Sequence, residues 1–173
     1  MGPKVTVGIP TYNQSEYLRQ AIRSVLNQTF QDFEIVVVDD CSTDDTAAVV
    51  EQFADDRIRY YRTPKTLRPP RSWNECLRLA KGELFSILPH DDLYDADYLR
   101  KMVSELDRHP EVGFSQCAYR IMHEDSYVGE ERFVAREELL EKGEAALITQ
   151  TQRYYCNPVS IVFRRKCMLE RGP

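Results

Sequence analysis

The sequence has no Cys-x-x-Cys pair, only 7 Gly and a single Trp in 173 residues. Its opening stretch, Met1-Gly2-Pro3-Lys4-Val5, carries no secretory apolar region. Scarce glycine excludes collagen-like and low-complexity chains, and 42% hydrophobic residues exclude intrinsic disorder. The apolar run near residues 35–38 falls far short of the roughly 20 residues that a bilayer span needs, so no transmembrane segment is expected. A formal net charge of -5 leaves no basic excess for general nucleic-acid binding, and no nucleic acid is expected as a partner. The 5 Cys are widely spaced, and none lies near a His at zinc-like spacing. They read as free thiols of a cytoplasmic protein.

What is present is a repeated alternation. Val5-Thr6-Val7-Gly8-Ile9 is a β-rich run that ends at Pro10-Thr11-Tyr12-Asn13. Leu18, Ala21, Ile22, Val25 and Leu26 then recur at helical spacing, with Ser15 or Asn13 as the expected cap. Glu34-Ile35-Val36-Val37-Val38 is a nearly continuous apolar strand, as expected when both sheet faces are covered, and it stops at Asp39-Asp40. Ser42 to Asp45 has the spacing of a capping box, ahead of a helix face formed by Val49, Val50 and Phe53. A third strand is expected over 57–61. Residues 63–71 hold Pro64, Pro69 and Pro70 with Lys65, Arg68 and Arg71, and read as a basic loop. Trp73, Cys76, Leu77 and Ala80 mark an inward helix face, capped by Ser72 and stopped by Gly82. A fourth strand over 84–88 ends in Pro89-His90-Asp91-Asp92, and Asp95 opens a further helix. Beyond residue 111 the pattern weakens: strands are expected over 112–119 and 159–163 and a helix over 137–150. Strands alternating with helices predict an α/β fold, Rossmann-like and doubly wound, with a mostly parallel sheet and helices on both faces. One domain is expected.

In such a sheet ligands bind at the carboxyl ends of the strands. Three strands end there in polar clusters, 10–13, 39–40 and 90–92. Two acidic pairs beside a basic loop suit a divalent cation with phosphate oxygens, because Mg²⁺ prefers one or two carboxylates plus phosphate. A bare carboxylate facing a phosphate is repelled, by about 4 kcal/mol per charge pair at 4 Å and an effective dielectric near 20. Asp91 and Asp92 therefore need a cation if they meet a diphosphate. Asp39 and Asp40 need none, since a carboxylate also accepts from a ring N–H or sugar hydroxyls, and Tyr12 can stack on a base. Each acidic pair has an alternative reading as a turn with a helix cap. The basic loop has one as a solvated surface.

Together these segments resemble a family 2 inverting nucleotide-sugar glycosyltransferase of the GT-A fold. The resemblance rests on residues 7–13, on Ser24-Val25-Leu26-Asn27-Gln28-Thr29-Phe30, on 34–44, on Asn74 and Ala80-Lys81-Gly82-Glu83, and on Leu88-Pro89-His90-Asp91-Asp92. It implies a nucleoside-diphosphate sugar as donor, with uridine the commonest base, and a saccharide or lipid-linked acceptor. It implies that Pro10, Thr11, Tyr12, Asp39 and Asp40 hold the nucleotide, that Arg68 approaches the base or diphosphate, and that Asp91 and Asp92 bind ribose and Mn²⁺ or Mg²⁺. Residues 1–110 would be the donor-binding half and 111–173 the start of an acceptor-side half. A lipid-linked acceptor would bring the protein to the inner face of a membrane.

Two departures stand out. Pro89 replaces the first Asp of the family's D-x-D metal motif. No residue matches the family's catalytic base, which lies farther along the chain, so an incomplete acceptor side is expected. Three other readings compete. One is a phospho-acceptor signalling module, suggested by Val36-Val37-Val38-Asp39-Asp40, but it needs a lone acceptor Asp after the next central strand, where Arg62-Thr63-Pro64 stands instead. A nucleotidyltransferase would favour a Gly-rich, cationic loop after the first strand, and Pro10-Thr11-Tyr12-Asn13-Gln14 has neither Gly nor cation. A nucleotide-binding interaction domain without transferase activity stays open.

Overall fold

The structure, a computed structural model, describes residues 2–122, 131–132 and 157–170. The strands are β1 (Val5–Thr11), β2 (Phe33–Asp39), β3 (Ile58–Arg62), β4 (Leu84–Ile87), β5 (Phe114–Gln116), β6 (Tyr119–Arg120), β7 (Glu131–Arg132) and β8 (Ile161–Arg164). The helices are α1 (Ser15–Leu26), α2 (Thr46–Glu51), α3 (Arg71–Leu79), α4 (Tyr98–Arg108) and α5 (Arg165–Leu169). A six-stranded sheet has the order β3-β2-β1-β4-β8-β5. β1 to β4 are mutually parallel, and β8 runs antiparallel to β4 and β5. β6 and β7 form a separate antiparallel ladder. This is the mostly parallel doubly wound sheet expected.

Successive residues of a strand face opposite sides of the sheet, so a strand covered on both faces is apolar throughout. β2 is such a strand. Ile35 and Val37 join a cluster with Leu18, Ile22 and Val25 of α1 and Leu99, Met102 and Leu106 of α4. Val36 and Val38 join a second cluster with Cys76 and Leu77 of α3 and Phe85 and Ile87 of β4. Trp73 packs half-buried at the margin of that cluster. α3 lies close to β1, and a Cβ built on Gly8 would sit 2.6 Å from the Cys76 Cβ. Only glycine fits there.

Buried charged groups of the sheet are partnered. Glu34, 6% exposed, accepts from Thr6 Oγ1 (2.7 Å), Arg59 Nη1 (2.7 Å) and the Lys81 N–H (2.7 Å). Gly82 N–H donates to Thr6 Oγ1 at 2.8 Å, which ties the α3–β4 turn to the same group. At the opposite edge the buried Arg164 guanidinium donates to the carbonyls of Val112, Leu106 and His109. A cation there meets orphan carbonyls at the end of α4 and its macrodipole.

Several local expectations change. β1 continues through Pro10 to Thr11. The Gly8 and Pro10 carbonyls both face the β4 side, and β4 pairs with β1 only as far as Gly8. The missing Pro10 N–H therefore costs no ladder bond. Neither Ser15 nor Asn13 caps α1. The Asp44 carboxylate, from the loop after β2, accepts the Ser15 N–H instead, and also holds Thr46 N and Oγ1. α3 starts at Arg71, so Ser72 lies inside it, and it ends at Leu79, before Gly82. α4 begins at Tyr98 rather than Asp95. The strands expected over 112–119 and 159–163 are shorter or shifted, as β5 and β8. The helix expected over 137–150 lies outside the described residues. Cys41, Cys76, Cys117 and Cys167 are free thiols, as expected.

Burial opposes ionisation of Glu34, but its hydrogen bonds from Thr6, Arg59 and Lys81 together hold its pKa below the usual value. A lowered folded-state pKa gives stability that is present above the unfolded value and lost as pH falls through the folded one. Glu34→Gln is expected to cost about 2 kcal/mol at pH 7, by leaving Arg59 unpaired. Urea unfolding should show that difference shrinking steadily below pH 4.5, where wild-type Glu34 takes up a proton.

Candidate functional site

Parallel register carries the ends of β1, β2 and β4 to one edge. Thr11 stands opposite Asp39, and Asp40 N–H donates to the Thr11 carbonyl at 2.8 Å. From β4, Leu88 N–H donates to the Gly8 carbonyl, and His90 Nδ1 lies 3.2 Å from the Pro10 carbonyl. Three of the polar clusters expected from the sequence thus meet at the end of β1.

The two members of the first acidic pair have different partners. Asp39, 1% exposed, accepts from Ser42 N–H (2.8 Å) and Tyr60 Oη (2.5 Å), and Arg62 Nε lies 3.9 Å from it. Burial and the Asp39 carboxylate keep the Tyr60 phenol protonated, well above its ordinary range. Asp40, 4% exposed, accepts the N–H groups of Leu67 (2.6 Å) and Arg68 (2.8 Å), with Thr63 Oγ1 at 3.3 Å. The basic loop is therefore fastened to the end of β2 through its backbone. That grip leaves the Arg68 side chain exposed and holds Arg68 at φ 62, in the left-handed region. Asn13, also at positive φ, accepts Thr43 N–H at 2.7 Å and donates its own N–H to Ser42 Oγ.

Thr11 is buried and its Oγ1 has no hydrogen-bond partner among the described residues. Tyr12 beside it is 47% exposed, an aromatic face open to solvent. Asp91 is exposed and Asp92 half-buried. Burial first, then the Asp91 carboxylate, push the Asp92 carboxyl up to about 6. Such a pair of adjacent carboxylates suits a divalent cation, which relieves their repulsion. Among the described residues no group of three His, Cys, Asp or Glu could hold a metal ion. Oxygen ligands from a diphosphate and water would have to complete the shell.

Sequence reasoning did not single out Glu34, Asp44 or Thr63. Glu34 and Thr63 find their partners on other segments, and so does Asp44 at Ser15, so no local spacing marks those contacts.

Known proteins resemble this chain in sequence and in fold. The family model described as Glycosyl transferase family 2 matches residues 6–170. The chain belongs to glycosyl transferase family 2. It is 43% identical over 93 residues to the GalNAc(5)-diNAcBac-PP-undecaprenol beta-1,3-glucosyltransferase of Campylobacter jejuni, covering 52% of this chain and 30% of that protein. It is 29% identical over 168 residues to the Escherichia coli UDP-Glc:alpha-D-GlcNAc-diphosphoundecaprenol beta-1,3-glucosyltransferase WfgD, covering 94% of this chain and 65% of that one. The Pyrobaculum calidifontis mannosyltransferase PcManGT, solved with GDP-Man and Mn²⁺, superposes with a TM-score of 0.63 at 30% identity, over 69% of this chain and 36% of its own. Staphylococcus aureus TarS, solved with UDP-GlcNAc, superposes with a TM-score of 0.79 over 97% of this chain and 47% of its own. At 24% identity that likeness speaks for the GT-A fold alone. This family 2 chain spans less than two thirds of the length of each of these proteins. No helix among its described residues is long and apolar enough to cross a membrane.

A raised carboxyl pKa is a destabilising contribution that is absent below the unfolded value and complete above the folded one. Asp92→Asn is therefore expected to stabilise the chain in EDTA at pH 8, by about 1 kcal/mol for a site this close to solvent. Urea midpoints should show the gain fading between pH 6 and pH 4.

Proposed function

We propose that this chain binds a nucleoside-diphosphate sugar, with UDP as the nucleotide, and serves inverting transfer of the sugar to an acceptor hydroxyl. The observation that carries the reading is the meeting of Thr11, Asp39-Asp40 and His90-Asp91-Asp92 at the end of β1. Residues 1–110 form the donor half, and 111–173 begin the acceptor side. The relatives' undecaprenol-linked acceptors support a lipid-linked saccharide acceptor, met at the inner face of a membrane.

In this reading Pro10, Thr11 and Tyr12 line the nucleotide, with the exposed Tyr12 ring stacked on the base. The carboxylate of Asp40 accepts from the base or ribose, and Asp39 braces the turn through Ser42 and Tyr60. Arg68, on the loop fastened to Asp40, faces the base or diphosphate with its fork of donors. Asp91 and Asp92 hold Mn²⁺ or Mg²⁺. That ion, when bound, neutralises charge growing on the leaving diphosphate. The acceptor oxygen attacks the anomeric carbon from the face opposite the diphosphate. The new C–O bond forms as the C–O bond to phosphate breaks, and the hydroxyl proton passes to a general base. The protein's share of this step is orientation of the donor.

Calorimetric titration with UDP, GDP and dTDP, with Mn²⁺ or with EDTA, tests the reading. We expect one nucleotide to bind at least about tenfold more tightly with Mn²⁺ than with EDTA, and Asp92→Ala to abolish the difference. Equal affinity in wild type and variant, or no binding by either, overturns the metal assignment.

A further inference from the structure

The acidic pair lies on a stretch with no regular structure, between the end of β4 at Ile87 and the start of α4 at Tyr98. Such a stretch positions a ligand group only if it is anchored on both sides. The amino-terminal anchors are those to β1, Leu88 N–H on the Gly8 carbonyl and His90 Nδ1 against the Pro10 carbonyl. Within the turn, Asp92 N–H donates to the Pro89 carbonyl at 3.1 Å.

Most of the carboxyl-terminal anchors come from the end of α1 and the residues just after it, and the buried Tyr94 hydroxyl adds one to β4, 2.7 Å from Ser86 Oγ. Tyr94 N–H donates to Ser24 Oγ at 3.2 Å. The Thr29 N–H donates to the Ala96 carbonyl at 2.9 Å, and Thr29 Oγ1 to Asp97 Oδ1 at 2.8 Å. Gln28, 1% exposed, is the centre of this clamp. Its Nε2 donates to the Asp95 carbonyl (2.7 Å) and the Ser24 carbonyl (3.1 Å), and its Oε1 accepts the Leu99 N–H (2.8 Å). One buried amide thus satisfies a carbonyl near the end of α1, a carbonyl of the loop and an N–H in the first turn of α4. Between the His90 and Tyr94 anchors only Asp91, Asp92 and Leu93 are left, too short a span to absorb a displaced end.

We propose that Gln28, aided by Ser24, is a positioning residue for the carboxylates of Asp91 and Asp92, setting the affinity of the site for its divalent cation. The inference rests on the donor-site reading above and adds to it a residue that touches neither nucleotide nor metal. Groups that orient metal ligands typically change metal affinity by about 10–100-fold when removed. A purely structural role would lower stability alone.

The test uses Gln28→Met, close in length but without donors or acceptor, and Ser24→Ala, which removes the acceptor for Tyr94 N–H. Glu34→Gln serves as a destabilised control remote from the acidic turn. For each, affinity for UDP, GDP and dTDP is measured across a Mn²⁺ series and in EDTA, beside a urea unfolding curve. We expect Gln28→Met to raise the Mn²⁺ concentration needed for half-maximal enhancement at least about tenfold, and Ser24→Ala to shift it in the same direction. Affinity in EDTA should stay at the wild-type value, and Glu34→Gln should leave the Mn²⁺ dependence unchanged. A wild-type Mn²⁺ dependence in Gln28→Met, or an equal shift in Glu34→Gln, overturns the inference. If Gln28→Met does not fold, Ser24→Ala decides, and an unshifted Mn²⁺ dependence in it overturns the inference. Absence of any Mn²⁺ effect in the wild-type chain is a separate result, which removes the donor-site reading and this inference together.

Discussion

Asp39 and Asp40 are almost wholly out of water, and a polar group in that position is tolerated only where hydrogen-bond partners surround it. The loops at this edge are shaped by that demand. Ser42 and Tyr60 close on Asp39, while Leu67 and Arg68 turn their backbone N–H groups onto Asp40. The backbone of residues 63–68 is held by a side chain at the end of the strand next to the edge strand, and Arg68 takes a left-handed conformation where it is held. Each loop takes its shape from a neighbouring loop's charge. The same logic runs through Asn13 and Asp44, which bind the turn after β1 to the turn after β2.

The acidic turn after β4 obeys a related rule with the opposite outcome. Among the described residues no such donors meet the Asp91 and Asp92 carboxylates, and burial with mutual repulsion raises the Asp92 carboxyl. A site that is costly when empty gains most from a cation, which is the usual exchange of stability for binding at functional positions. The two acidic pairs therefore differ in kind. One takes donors from neighbouring loops and builds the edge, and the other carries a repulsion that raises the Asp92 carboxyl.

Much of the fold was legible because β1, β2 and β4 are short β-rich or apolar runs and the helices carry period-3.6 patterns strong enough to read locally. β2 was the clearest case, since Ile35 to Val38 serve both clusters. The second half was less legible because β5 and β8 are short and pair antiparallel across about 45 residues of chain. Helix caps failed as expectations for a physical reason. The group that meets the start of α1 is Asp44, 29 residues away, and no local spacing marks such a partner. The site residues named from the motifs do gather at one edge. The groups that brace them, Gln28 above all, find their partners up to 71 residues away. Asp40 shows the limit of motif reading, for its position was expected but its hold on the basic loop was not.

The contact between Gly8 and Cys76 sets a different kind of limit. A methyl group at position 8 would stand 2.6 Å from the Cys76 Cβ and 3.3 Å from a Phe85 ring carbon, so α3 already rests on β1 at its distance of closest approach. Drift at position 8 is blocked while a side chain stands at 76. In a lineage where this strand gained bulk, the helix residue would have to shrink in step or the helix would lift from the sheet. The basic loop, which leads directly into that helix, would be carried away from the end of β2 with it.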